Sequence, residues 1–180
     1  EREDPVQTIL KLTDGVGVDR AIDAVGIDAV HPHGGPAAQQ AKSKAAEFAA
    51  EVGKIAPRQN PSGDNWKPGA APSQVLYWAT QALDKAGTLS IIGVYSENST
   101  TFPIGEAMNK NLTLKMGNCP HRAYLPHLVD LVASGVFDPA GILTQTEPLT
   151  DAIDAYKAFD RREPGWMKVE LRAAAQRKAA

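Results

Sequence analysis

The sequence predicts an α/β fold built around a doubly wound parallel sheet, because three short apolar runs each end at or near a glycine. These runs cover residues 18–26, 87–95 and 112–117. Short apolar runs bounded by glycine are typical of strands that are buried on both faces of a parallel sheet. Ligands of open α/β sheets bind outside the carboxyl ends of the strands. We therefore expect the functional site where these three runs end.

The first predicted element is a helix that begins at Asp4 and Pro5. Asp is a favourable N-cap, and the N–H that Pro lacks is not used in the first turn of a helix. The apolar stripe consists of Val6, Ile9 and Leu10. Gly15 ends the helix, and the strand of residues 18–26 follows as half of a βαβ unit. A strand before the helix is missing, so we expect the 180 residues to be part of a longer protein.

Residues 31–72 interrupt the α/β pattern and are predicted to be an insertion of one helix and a long loop. The helix begins at Pro36 and ends near Gly53, and the loop covers residues 56–72. Its apolar positions are Ala41, Ala45, Phe48, Ala49 and Val52.

The loop of residues 27–35 carries three possible metal ligands, which are Asp28, His31 and His33. A zinc site needs three or four ligands that are held rigidly, and this Pro- and Gly-rich loop offers no fourth ligand nearby. Solvated loop residues are therefore favoured over a metal site.

The next helix is predicted to start at Pro72 and Ser73 and to have Gly87 as its C′ residue. Its buried stripe is predicted to comprise Val75, Ala79, Ala82, Leu83 and Ala86. The strand that follows contains Gly93, where a missing Cβ lets a ligand approach the backbone closely. An ordinary glycine turn after a core strand is the alternative for Gly93.

Residues 102–104 and 112–116 are predicted to form strands at the far edge of the sheet. Edge strands must be paired, covered or charged, and only Lys115 supplies charge here. We therefore expect a homo-oligomer through residues 100–116, in which a two-fold axis buries Phe102 and Ile104. The alternative is that the loop of residues 96–101 covers this edge.

The region after residue 117 is predicted to contain a helix that stops at Gly135, a strand at 142–149, a helix N-capped by Thr150 and a strand at 166–171. The apolar face of the first of these helices consists of Leu125, Leu128, Val129 and Val132. In the last strand, one face is formed by Met167, Val169 and Leu171.

Composition and charge argue against several kinds of partner. The formal net charge of −2 gives no reason to expect nucleic acid or an anionic membrane. No apolar run approaches the roughly 20 residues of a membrane-spanning helix. The single cysteine, Cys119, cannot form an intrachain disulfide and suits a reducing compartment, so we expect a cytoplasmic location.

Taken together, the motifs resemble the medium-chain, zinc-dependent alcohol dehydrogenases over nearly the whole chain. The resemblance is carried by residues 21–26, 87–95, 102–105 and 107–113. The tail is similar to the formaldehyde-dehydrogenase-like branch at residues 142–145, 147–149, 159–160, 162–166 and 168–169.

The resemblance covers only the C-terminal half of that family. It implies that residues 1–117 are the second half of a Rossmann-type dinucleotide-binding domain, and that residues 118–180 return to pack on a GroES-like catalytic domain. Neither the G-x-G-x-x-G turn nor a Cys/His cluster for catalytic zinc occurs in the sequence. We therefore expect no zinc ligands in this chain and no activity of the chain alone.

The parent enzyme implied by the resemblance transfers hydride between a nicotinamide cofactor and an alcohol or aldehyde, with zinc assistance. The cofactor is NAD(P), with NAD favoured, and the substrate is left open. The alternative is a non-catalytic, partial Rossmann module that serves only binding or oligomerisation.

By the same resemblance, the cofactor-binding residues lie at the glycine ends and near the C-terminus, and no catalytic residue is assigned. The adenosine side is given to Ala24, Val25 and Gly26. The nicotinamide side is given to Ile92, Gly93 and Val94, with Met116, Gly117 and Asn118 closing over the ring. Lys168 matches a basic position that reaches the pyrophosphate, and a solvated strand lysine is the alternative. Cys119 and His121 are interpreted as lining or structural residues, since a lone pair makes no metal site.

Overall fold

Three parallel strands, in the order β1-β2-β3, form the sheet of the first part of the chain. They are β1 (Val18–Asp23), β2 (Leu83–Ile91) and β3 (Thr113–Met116). The register aligns Asp23 with Ile91 and Ile91 with Met116, so the three strands end side by side. This computed structural model describes residues 2–56 and 68–173, and it confirms the predicted α/β class with parallel strands.

The chain divides into two compact units, Glu1–Asn118 and Cys119–Ala180. The first unit also contains the helices α1 (Pro5–Leu12), α2 (Pro36–Ser43), α3 (Ala45–Ile55), α4 (Gln74–Ala82) and α5 (Ile104–Asn109). The second contains α6 (His121–Ala133), β4 (Gln145–Pro148), α7 (Ala152–Asp160) and β5 (Val169–Arg172). None of the described helices is long and apolar enough to span a membrane.

The core of the first unit lies between the sheet and α4. Its buried cluster consists of Leu76, Leu83, Leu89 and Ile91. Each such side chain contributes about 1.5–3 kcal/mol when it leaves water. Side chains alternate along a strand, so the opposite face carries Ile22, which is 68% exposed. Burial on both faces, which the sequence predicted, is therefore wrong for the sheet in the described residues.

Helix α1 confirms the predicted start. The Asp4 carboxylate accepts a hydrogen bond from the Gln7 amide at 3.0 Å, which satisfies an N–H that the first turn leaves unpaired. Val6 is the buried residue of the stripe. The chain leaves the helix through Asp14 and Gly15, both with positive φ.

The described part of the insertion contains two helices, α2 and α3, where the sequence predicted one. The break falls at Lys44, whose ammonium lies 3.6 Å from the centroid of the Tyr77 ring and 3.2 Å from the Glu47 carboxylate. These contacts orient α3 against α4. Of the predicted apolar stripe, Ala41 and Phe48 are buried, whereas α3 buries Glu51 and Ile55 instead of Ala45, Ala49 and Val52. Helix α3 ends at Ile55, soon after Gly53, as the sequence predicted. The predicted loop of residues 56–72 lies partly outside the described residues.

The predicted boundary between α4 and β2 is wrong, because the helix ends at Ala82 and the strand starts at Leu83. The pairing with β1 jumps from Leu83 to Thr88, so residues 84–87 bulge from the strand. The C-terminus of α4 is capped by Lys110 instead of a glycine. Its ammonium donates to the carbonyl oxygens of Thr80, Gln81 and Leu83 at 2.8–2.9 Å.

The predicted edge strand at 102–104 is also wrong, because α5 begins at Ile104 with Pro103 as its N-cap residue. The fixed φ of proline is compatible with a helix start, and this local preference prevails over the apolar pattern. Phe102 packs against the core cluster of its own chain, whereas Ile104 is 61% exposed. Oligomerisation through this region stays a prediction.

The helices and strands of the second unit follow the predicted order, but both strands start about three residues later than predicted. Helix α6 ends as predicted, with Gly135 at positive φ, and its predicted apolar face is exposed. The strands β4 and β5 pair in parallel, Gln145 opposite Val169. Thr150 does not cap α7, because a 3-10 turn at Leu149–Asp151 precedes the helix and makes Asp151 its N-cap residue.

Candidate functional site

The predicted cofactor residues of the first unit share one edge of the sheet. Residues 24–26 follow β1, residues 92–94 follow β2, and Gly117 and Asn118 follow Met116 at the end of β3. Because Asp23, Ile91 and Met116 are aligned in the ladder, these three segments leave the sheet together. We call this set the strand-end surface; it comprises Ala24, Val25, Gly26, Ile92, Gly93, Val94, Met116, Gly117 and Asn118.

Two glycines allow the segments after β1 and β2 to touch. A Cβ on Gly93 would lie 2.3 Å from the Gly26 nitrogen, and a Cβ on Gly26 would lie 2.4 Å from the Val94 carbonyl oxygen. Gly26 also has φ +68°, a conformation that side-chain-bearing residues rarely adopt. The Ile27 amide donates to the Val94 carbonyl at 3.0 Å across this crossing. The glycines therefore serve contact between the two backbones.

Asp23 is the polar centre of the crossing and is fully buried. Its Oδ1 atom accepts from the amides of Val25 at 2.9 Å and Gly26 at 3.0 Å. Its Oδ2 atom accepts from the Tyr95 hydroxyl at 2.6 Å. Its backbone carbonyl accepts from the amides of Ile92 and Gly93, each at 2.9 Å. One residue thus joins both segments of the strand-end surface.

Tyr95 is held as a hydrogen-bond donor. Burial raises its pKa well above the ordinary value of 10.0, and the hydrogen bond to the Asp23 carboxylate raises the pKa further. The phenol therefore keeps its proton throughout the physiological pH range. The sequence-based assignment missed both Asp23 and Tyr95. The available signal was a carboxylate at the end of an apolar strand, where burial demands partners.

The side chains of the strand-end surface are mostly apolar and open to solvent. Val25 is 48% exposed, Ile92 69%, Val94 75% and Met116 64%. Exposed apolar side chains grouped at strand ends form a surface that a planar ring can contact. The amides of Val25, Gly26, Ile92 and Gly93 already donate to Asp23, so this surface offers a ligand mainly apolar contact.

Lys168 belongs to the second unit, immediately before β5. It lines an open cleft of about 200 Å³ together with Ala155, Tyr156, Phe159, Val169 and Leu171. Its backbone carbonyl accepts from the Thr144 amide at 2.9 Å. The predicted contact of its ammonium with a coenzyme stays a prediction.

Metal-binding side chains are not gathered anywhere in residues 2–56 and 68–173, where no group of three or more His, Cys, Asp or Glu could hold an ion. The rings of His31 and His33 meet edge to face with centroids 5.9 Å apart. Cys119 is exposed, and His121 is the first residue of α6. The described residues therefore do not fit a zinc site.

Sequence comparison finds relatives across the chain. It is 30% identical over 172 residues to AdhB of Bacillus subtilis, an uncharacterized zinc-type alcohol dehydrogenase-like protein; the match covers 96% of this chain and 39% of that protein. It is 38% identical over 88 residues to a zinc-type alcohol dehydrogenase-like protein of Schizosaccharomyces pombe, covering 49% of this chain and 21% of that protein. Both relatives are named as zinc-type alcohol dehydrogenase-like proteins. No protein-family model matches the sequence.

Solved structures share the fold. Alcohol dehydrogenase TADH from Thermus sp. ATN1 matches with a TM-score of 0.59 and 24% identity, over 96% of this chain and 37% of that one. A 2R,3R-butanediol dehydrogenase from Bacillus subtilis matches with a TM-score of 0.58 and 19% identity, over 96% of this chain and 36% of that one. A protein described as NAD-dependent alcohol dehydrogenase matches with a TM-score of 0.54 and 15% identity, over 94% of this chain and 35% of that one. The chain spans less than two fifths of the length of each.

Proposed function

We propose that this chain forms part of a zinc-type, nicotinamide-linked alcohol or aldehyde dehydrogenase and contributes to its coenzyme site. The observation that carries the proposal is the alignment of three parallel strand ends at a glycine crossing, with the segments after them forming one apolar surface. Open α/β sheets bind ligands at this edge. The names of the relatives support the same reaction class.

In this proposal, Ala24–Gly26 contact the adenosine side of NAD(P), and residues 92–94 hold the nicotinamide. Met116, Gly117 and Asn118 close over the ring, and Lys168 pairs with the pyrophosphate. When bound, the coenzyme supplies a nicotinamide that accepts or donates hydride. NAD is favoured over NADP, and one structural neighbour is described as NAD-dependent. No zinc-dependent step is derived from this chain, because its described residues do not gather ligands.

The finer parts of the proposal rest on sequence motifs. The motifs between residues 142 and 169 support the formaldehyde-dehydrogenase-like branch. The single cysteine supports a cytoplasmic protein. In this proposal, residues 1–117 belong to the dinucleotide-binding domain and residues 118–180 pack on a catalytic domain. Nothing in the described residues favours a non-catalytic binding module instead.

A titration of NADH fluorescence with the wild-type chain tests the coenzyme site. Val94 is 75% exposed, so Val94→Glu leaves the fold intact and brings a negative charge to the pyrophosphate-bearing ligand. We expect saturable fluorescence enhancement with the wild-type chain and at least fivefold weaker binding with Val94→Glu. The matched control is Val136→Glu, which changes a residue of the second unit that is 76% exposed. Equal affinity of both variants, or no saturable binding, would overturn the proposal.

A further inference from the structure

The two oxygen atoms of the Asp23 carboxylate accept hydrogen bonds from two different segments, residues 25–26 and Tyr95. A buried carboxylate is costly unless its oxygens are hydrogen-bonded, and here both oxygens have partners. Among the described residues, Oδ1 accepts from the amides of Val25 and Gly26, whereas Oδ2 accepts from the Tyr95 hydroxyl. Each oxygen therefore fixes a different part of the strand-end surface.

Tyr95 links Asp23 to the hydrophobic core of the first unit. The residue packs against the core cluster of Leu76, Leu83, Leu89 and Ile91 while its hydroxyl points to Asp23. The segment of residues 92–94 lies between two fixed points, the Asp23 carbonyl at Ile92 and Gly93 and the Tyr95 phenol. A ligand that is held by backbone atoms requires such a segment to be in place before binding, since an unpopulated binding conformation lowers the apparent affinity.

We propose that Asp23 and Tyr95 are a positioning pair, in which the Oδ2–phenol hydrogen bond holds residues 92–94 in the conformation that binds nicotinamide. The Oδ1 bonds hold residues 25–26 in the same way for the adenosine half. This inference rests on the proposed coenzyme site. Asp23 is fully buried, so in this proposal the pair acts through the backbone of the strand-end surface and not by touching the ligand.

Two conservative variants separate the two oxygens. Tyr95→Phe removes the phenol. Asp23→Asn keeps one carbonyl oxygen for the Val25 and Gly26 amides, but it replaces the charged acceptor of the Tyr95 hydroxyl by an NH2 group that can only donate to it. Binding of nicotinamide mononucleotide and of AMP to the full 180-residue chain is measured by saturation-transfer NMR, with melting temperature as the measure of folding. The control is Tyr124→Phe, a change at a tyrosine that is 54% exposed.

We expect both variants to bind nicotinamide mononucleotide about tenfold more weakly, because each removes the hydrogen bond from the Tyr95 phenol to the charged Oδ2 atom. AMP should bind within about twofold of wild type, because the Val25 and Gly26 amides keep an oxygen acceptor in both variants. The double variant binds no more weakly than Tyr95→Phe, since both changes break the same bond. A merely structural role predicts a lower melting temperature with both nucleotides weakened equally, and that result overturns the inference.

Variants that bind like wild type overturn the positioning pair and leave the proposed function standing. A wild-type chain that binds neither nucleotide overturns the proposed function and this inference with it. The wild-type titration therefore separates the two failures.

Discussion

At the scale of single residues, Glu51 is a buried carboxyl group whose protonation links folding to pH. It is 2% exposed, and the Ser73 hydroxyl is the partner of its Oε1 atom. Oε2 has no hydrogen-bond partner among the described residues. Burial raises the pKa of Glu51 above its ordinary value of 4.5, and the hydrogen bond with Ser73 opposes the shift. Charged neighbours act on it too, with Glu47 raising the pKa and Lys54 lowering it.

The sign of the resulting pH dependence follows from the raised pKa. Above pH 4.5 the unfolded chain releases the Glu51 proton while the folded chain retains it, so stability falls as pH rises and levels off above the folded pKa. Glu51→Gln imitates the protonated form and removes this contribution. We therefore expect the variant to gain melting temperature over wild type between pH 5 and pH 8, by roughly 4–8 °C for each kcal/mol recovered.

The measurement compares the two melting curves at each pH, with Glu97→Gln as an exposed control. A variant that melts at or below wild type near pH 7, or one whose advantage is no larger at pH 7 than at pH 4.5, would contradict the raised pKa of the buried Glu51 carboxyl.

At the scale of elements, Lys110 joins α5 to the end of α4 and to the bulge in β2. Its ammonium satisfies three carbonyl oxygens, and its own carbonyl accepts from the Ala86 amide at 2.7 Å. Ala86 has φ +60°, so the bulge depends on such contacts. Lys110→Met keeps the apolar stem and removes the donors. We expect a loss of about 2 kcal/mol in the free energy of unfolding by urea, since bonds to charged groups are the stronger ones.

Lys42→Met serves as the control for this change, because Lys42 is exposed on α2 and its loss should alter stability by less than about 0.5 kcal/mol. If Lys110→Met unfolds at the same urea concentration as Lys42→Met, the capping role of Lys110 is wrong.

Some of the helices and strands could be predicted from the sequence, and others could not. The strands near Gly26, Gly93 and Gly117 were predictable because short apolar runs that end at a glycine are local patterns. The end of α4 was not, since the capping ammonium of Lys110 lies about 30 residues further along the chain. The role of Asp23 was missed for the same reason, as its partner Tyr95 is 72 residues away.

At the scale of the whole molecule, exposed apolar side chains in both units predict self-association. Ile22, Ile104 and Met108 are 61–73% exposed in the first unit, and the apolar face of α6 is exposed in the second. We expect sedimentation velocity to give species above monomer mass that increase with concentration. Ile104→Lys should lower association if residues 100–116 form the interface, whereas Ile142→Lys should not. A chain that stays monomeric at every concentration would contradict this.

Hydrogen exchange reports whether the strand-end surface binds a nicotinamide dinucleotide. Amide exchange of the full chain is followed by mass spectrometry with and without NADH, and peptides from α6 serve as the internal reference. We expect slower exchange with NADH in peptides that contain residues 24–27 and 92–95, because a bound ligand suppresses local opening there. Exchange that is unchanged in these peptides, or slowed only in the second unit, would show that the coenzyme does not bind at the strand-end surface.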